Sequence, residues 1–164
     1  MRFVLDSSSI INLFNAGALG LLCQLEQHDF FVPPMVLGEC HGDCAVDLIA
    51  LRGEGCISFI DDDVVDADQY LALLQQYRLG AGETECMALA ATADYNICCD
   101  DRRAREATAD LIGEQKVVGS LRLLRWCVES LVIDCGAAFT AFQTMRQRGG
   151  FLPETPQSFF CGED

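Results

Sequence analysis

The chain has 164 residues, 51% of them apolar, which suits one domain with a sizeable buried core. Its net charge is −14 and its only lysine is Lys116. That excludes broad electrostatic adhesion to nucleic acid, though not a nucleic-acid substrate reached through bound cations.

Short apolar runs alternate with longer helical patterns, the signature of a parallel α/β sheet. Phe3-Val4-Leu5 reads as the first strand, and Ser7 to Ser9 can cap a helix running through Ile10 and Leu13. Phe30-Phe31-Val32 reads as the second strand, with Pro33-Pro34 starting the next helix. Ile57 to Ile60 is expected as a third strand. The triplet Asp61-Asp62-Asp63 reads as a solvated loop, followed by a helix from Val65 to Tyr77. After Leu79-Gly80-Ala81-Gly82 a helix is predicted over Glu83 to Asp94. Asn96 to Cys99 is a short buried strand, and Arg102 to Leu111 a helix. Lys116 to Gly119 is the last strand. Helices over Leu121 to Val132 and Ala137 to Arg148 close the domain. One domain is therefore expected over residues 1–152, with an irregular tail over 153–164.

No apolar run reaches the ~18 to 20 residues of a membrane helix. The best candidate, Ile10 to Leu25, is interrupted by Asn12, Asn15, Gly17, Gly20 and Gln24. The opening residues lack the apolar stretch and cleavage site of a signal peptide, so a cytoplasmic protein is expected. On that reading the ten cysteines should be free and packed as small hydrophobes rather than paired. Cys40 and Cys44, with His41 beside them, would share one face of a helix. A zinc site there would need a second ligand pair, which Cys56 alone does not supply.

The acids carry the functional signal. Asp6 follows the first strand, and Asp100 and Asp101 follow the fourth. In open parallel sheets, ligands bind beyond the carboxyl ends of the strands. Glu39 lies in the helix after the second strand, and Glu83 and Glu85 open the helix before the fourth. Acids from four separated segments can thus meet at one sheet edge. Hard cations such as Mg²⁺ or Mn²⁺ take carboxylate and water oxygens, and there they assist attack on a phosphodiester. Each acid also has a plainer role. Asp6 and one of the Asp100-Asp101 pair can cap helices, Glu39 can be solvated, and Glu83 and Glu85 suit a helix start.

These segments resemble the PIN-domain family. Val4-Leu5-Asp6-Ser7-Ser8-Ser9-Ile10-Ile11-Asn12-Leu13 resembles its opening strand and helix. Val32-Pro33-Pro34-Met35-Val36-Leu37-Gly38-Glu39 resembles its second strand and acid-bearing helix. Gly82-Glu83-Thr84-Glu85 resembles the Gly-Glu-x-Glu helix of a VapC-like branch, and Asp100-Asp101-Arg102 that branch's Asp-Asp-Arg segment. Val118-Gly119-Ser120-Leu121 and Gly149-Gly150-Phe151-Leu152 fit its closing segments.

The resemblance implies a three-layer α/β/α sandwich with a mostly parallel sheet. It also implies a Mg²⁺- or Mn²⁺-dependent endoribonuclease acting on RNA. By position the catalytic acids would be Asp6, Glu39, Glu85 and Asp101. Glu83 and Asp100 are the alternates in the metal set, and Ser8 is a supporting polar group. Many relatives are toxins of toxin–antitoxin pairs, restrained by a small antitoxin protein and often homodimeric. Cys99 stands where the family often has Ser or Thr. Arg102, Arg103 and Arg105 are candidates for facing RNA phosphates.

Three rival readings differ in class. An inactive PIN-like protein- or RNA-binding module would suit the acidity. A flavodoxin-like nucleotide-binding domain lacks a Gly-rich loop after the first strand. Hydrolysis through a Ser-His-Asp or Cys-His pair is poorly served by the two histidines, His28 and His41.

Overall fold

The computed structural model describes residues 1–62 and 64–162, so Asp63 and the last two residues of the tail lie outside the described residues. Five strands form one all-parallel sheet: β1 (Arg2–Leu5), β2 (Asp29–Val32), β3 (Ile57–Phe59), β4 (Asn96–Cys98) and β5 (Val117–Val118). Their order is β3-β2-β1-β4-β5. The central strands β1 and β4 are buried without alternation because helices cover both faces. Phe3, Val4 and Leu5 are all buried, as are Ile97 and Cys98.

The helices are α1 (Ser7–Asn15), α2 (Pro34–Glu39), α3 (Asp43–Gly53), α4 (Ala67–Tyr77), α5 (Ala81–Thr92), α6 (Arg102–Ile112), α7 (Ser120–Glu129), α8 (Cys135–Gln147) and α9 (Gln157–Cys161). Helix α5 packs on β1 and β4 and touches α2, α4 and α6, while α1, α7, α8 and α9 pack together. The architecture is the α/β/α sandwich expected from the sequence. No helix among the described residues is long and apolar enough to cross a membrane.

The topology places the site. From β1 the chain moves outward to β2 and β3, then returns to lay β4 on the other side of β1 and moves on to β5. The order reverses between β1 and β4, where a crevice opens beyond the carboxyl ends. Leu5 pairs with Cys98 there, so Asp6 and Cys99 leave the sheet side by side. The Asp6 amide donates to the Cys98 carbonyl at 2.9 Å, extending the ladder by one rung.

The sequence reading needs correction in four places. Helix α3 was not foreseen: its buried Cys44, Leu48 and Leu51 are spaced for a helix, but exposed Val46 and Ile49 blur the pattern. Because Gly42 turns the chain at φ 60°, Cys40 ends α2 while Cys44 belongs to α3, so they do not share one helix face. Four cysteines are paired, Cys23 with Cys56 and Cys135 with Cys161, although all ten were expected free. Their partners lie 33 and 26 residues apart, and such pairings cannot be deduced from sequence spacing alone. The expected irregular tail carries α9, whose Phe160 is fully buried against Phe139 and Phe142.

Phe160→Ala should therefore cost about 3 to 5 kcal/mol, the range for emptying a buried aromatic site. Urea denaturation reads it directly, and a loss near zero would show that the tail merely rests on the domain.

His28 offers a second check. Its ring lies 4.5 Å from that of Trp126 and 5.4 Å from that of Phe3, and its Nδ1 is buried without a hydrogen-bond partner. Burial, helped by the N-terminal ammonium, lowers its pKa below the usual 6.5. The unfolded chain therefore takes up the proton first as pH falls. His28 contributes stability above pH 6.5 that is lost as pH drops through the lower folded value. Denaturation midpoints of wild type and His28→Gln between about pH 5 and 8 should differ by this slope; parallel curves would contradict it.

Candidate metal centre

Asp6 lies at the centre of the crevice. It caps α1 and is 1% exposed. Its Oδ2 accepts hydrogen bonds from the Ser8 amide at 3.1 Å, the Ser8 hydroxyl at 2.5 Å and the Cys99 thiol at 3.4 Å. Its Oδ1 is buried with no partner. Burial raises the carboxyl pKa; the bonds from Ser8 and Cys99 oppose that rise, and the charge of Glu39 adds to it. A buried carboxylate oxygen left unpaired is costly and calls for an explanation.

Ser8 joins the two strand ends. Besides donating to Asp6, its Oγ accepts from the amides of Asp100 at 3.0 Å and Asp101 at 3.3 Å. Asp6 and the Asp100-Asp101 pair therefore meet on the same side of the sheet.

Glu39 arrives from α2. Its Oε2 accepts from the Ser7 hydroxyl at 2.6 Å, and its Oε1 from the Gly82 amide at 3.0 Å. A Cβ on residue 82 would sit 2.9 Å from both Glu39 oxygens, so a larger residue there would displace the Glu39 carboxylate from its place on the Gly82 amide.

Glu83 and Glu85 part company. Two residues along a helix turn the side chain by about 200°, so both cannot face one point. Glu83 reaches back to the Gly80 amide at 2.8 Å. Its pKa is raised by burial first, then by the charges of Asp6, Asp101 and Glu39. Glu85 is 6% exposed and turns towards α2, where it accepts from the Met35 amide at 2.8 Å and also bonds the Val36 amide. Burial raises its pKa too, and its charged neighbours are Asp62 and Glu39.

The aspartate pair divides similarly. Both oxygens of Asp100 are engaged, by the Asn12 side-chain amide at 2.7 Å and the Ser120 backbone amide at 2.8 Å. Asp101 caps α6 with Oδ1, accepting from the Ala104 amide at 2.9 Å. Asp6, Glu39, Glu83 and Asp101 thus form one electrostatic neighbourhood, with Glu85 and Asp100 bracing the backbone around it.

The sequence reading missed Asn12, Ser7 and Ser120 as parts of the site. Asn12 carried a signal, being polar within the apolar run Ile10 to Leu13 and now buried. The arginines scatter: Arg103 donates to the Tyr77 carbonyl, Arg105 to the Cys99 carbonyl, and Arg102 pairs with Glu106 on the surface.

Cys23, Glu54 and Cys56 also place potential ligand atoms within 4.8 Å of one another. The two sulfurs are bonded to each other, which removes them as thiolate ligands. The Asp6 neighbourhood fits a hard divalent cation better. It gathers several carboxylates within one another's electrostatic reach and leaves one buried carboxylate oxygen without a partner.

A parallel sheet with acids gathered at its switch point defines a nuclease-type α/β domain. A family model described as a PIN domain matches residues 2–158, and the chain belongs to that family. PIN domains are generally nucleases that use divalent metals. No curated protein matches the chain.

Without metal, ionised Asp6 burdens the fold. Asp6→Asn should raise the melting temperature in EDTA, by about 2–4 °C for each kcal/mol relieved in a domain of this size. Adding Mn²⁺ should raise that of the wild type and leave the variant unmoved. Thermal melts of both proteins decide it; a destabilised variant in EDTA would refute the account.

Proposed function

We propose that this protein is a Mg²⁺- or Mn²⁺-dependent endoribonuclease, with the cation held by Asp6, Glu39, Glu83 and Asp101. One observation carries the reading: the buried, unpartnered Oδ1 of Asp6 amid three other carboxylates. When bound, the cation would neutralise phosphate charge and make water a better nucleophile.

The chain's residues supply the order. Ser8 and Cys99 hold Asp6 by one oxygen and leave the other to a ligand. Ser7 and the Gly82 amide hold Glu39, whose remaining lone pairs can orient the attacking water and accept its proton. Glu85 and Asp100, ligand candidates by sequence, support the site by bracing its backbone. Glu85 fixes the start of α2, and Asp100 ties α1 to the start of α7.

The finer role we propose is that of the toxin in a toxin–antitoxin pair, restrained by a small partner protein and able to form a homodimer. Its support is the ordered likeness of the Gly-Glu-x-Glu and Asp-Asp-Arg segments to the VapC-like branch. A cytoplasmic site of action goes with that role. The two disulfides weigh against it, since most reducing cytosols keep thiols free. The −14 charge favours a second reading, an inactive PIN-like module that binds a protein or RNA without cutting it.

Cleavage of single-stranded RNA with Mn²⁺ separates the two. Asp6→Asn, Glu39→Gln, Glu83→Gln and Asp101→Asn should each lower cleavage by about 10²-fold or more, as for a lost electrostatic catalytic group. Glu85→Gln should act chiefly by loosening the fold. Cleavage that persists in EDTA and in Asp6→Asn would sink the proposal.

A further inference from the structure

A cleft of about 970 Å³ runs along β5, the strand at one edge of the sheet. It begins at Asp100, next to Asp101 and Ser8, and so adjoins the proposed metal centre. Arg102, Arg105 and Arg122 line it, together with Trp126, Phe151 and Phe159. We infer that this cleft is the subsite that holds single-stranded RNA beside the cut, stacking its bases on the aromatic rings and its phosphates on the arginines. This inference rests on the ribonuclease reading above.

Three observations support it. First, charge runs against the trend of the molecule. The chain carries 25 acids and 11 lysines and arginines, yet three arginines face two acids here. Of those acids, Asp100 has both oxygens bound by Asn12 and Ser120, and Glu114 lies in the 3₁₀ turn before β5.

Second, Phe151 is 100% exposed at the lip of the cleft, and its backbone is held there. Gly149 turns the chain at φ 97°. A Cβ at Gly150 would lie 2.6 Å from Asn12 Oδ1 and 2.9 Å from the Met145 carbonyl. Asn12 in turn donates to Asp100. The glycine pair therefore holds the backbone that carries this solvated ring close to Asn12, one side chain away from the acidic edge.

Third, the chemistry matches one ligand class. Single-stranded nucleic acid offers flat apolar faces and anionic phosphates in alternation. Arg122 already lies over the Phe159 ring at 5.8 Å, the pairing that base stacks and phosphates both exploit. Duplex RNA keeps its base faces stacked and has nothing to offer Phe151.

The test uses the full chain carrying Asp6→Asn, in EDTA, with a short fluorescein-labelled single-stranded RNA. Anisotropy gives affinity, and quenching of Trp126, the sole tryptophan, reports contact with the cleft. Phe151→Ala and Arg122→Glu should each weaken binding by about 5- to 150-fold, the range for one stacked base. Both sites are exposed, and melting curves confirm folding. In the Asp6 background-free enzyme the same changes should raise KM for RNA cleavage. Duplex RNA of the same sequence should bind at least tenfold more weakly, by the loss of one such contact.

Unchanged RNA affinity in both variants, with cleavage intact in the wild type, overturns the cleft and leaves the ribonuclease standing. Equal binding of duplex overturns it as well. So does a dimer in sedimentation that Phe151→Ala dissociates while RNA affinity holds, since the cleft would then be a self-association face. Failure of wild-type protein with Mn²⁺ to cut any RNA removes the parent reading.

Discussion

The hydroxyl of Ser8 is the joint on which the site depends. It donates to Asp6 at the end of β1 and accepts from the two amides that follow β4. The ladder between β1 and β4 ends one rung beyond β1, with the Asp6 amide on the Cys98 carbonyl, and past that rung Ser8 bridges the two diverging chains with help from Asn12 and Cys99. One side chain, placed three residues after a strand, turns a gap in the sheet into a fixed mouth. The cost falls on Asp6, which is buried and keeps only one of its two oxygens satisfied. A fold can bear such a group when the working state supplies what the empty state lacks.

Close backbone approach does the rest. Gly82 lets α5 come within hydrogen-bond distance of Glu39, and Gly119 lets the chain pass Asp100, where a Cβ would sit 2.6 Å from Oδ1. In both places a carboxylate is held by a backbone amide rather than by a lysine or arginine. An amide at a helix start orients a carboxylate without neutralising it. The acids are thus positioned while their charge is left largely uncompensated, the state a cation site requires.

How much of this was legible in the sequence follows from which interactions are local. Strand β1, the cap at Asp6 and the helix α6 behind Asp101 were readable because each is written in a few adjacent residues. The choice between Glu83 and Glu85 was not, since both stand in one helix and only the packing of α2 against α5 decides which faces the crevice. The split between Asp100 and Asp101 has the same origin: Asn12 and Ser120, far away in the chain, claim Asp100. The disulfides escaped because spacing along the chain says nothing of proximity in space. Helix α3 escaped because two of its apolar residues face solvent.

Acidity and an anionic substrate can be reconciled by scale. At physiological salt, exposed charges beyond about 8 Å are screened, so the −14 of the whole surface is only weakly felt at any one phosphate. On the proposed ribonuclease reading, a bound strand would feel the local set: four carboxylates that a divalent cation would offset and, beside them, arginines lying among aromatic rings. The global charge then works as a filter. It would discourage long polyanions from settling at random on the surface and leave productive contact to the proposed cleft beside the acids. On that reading an RNA segment able to present unpaired bases would gain stacking there, while a rigid duplex would meet the acidic surround without that return.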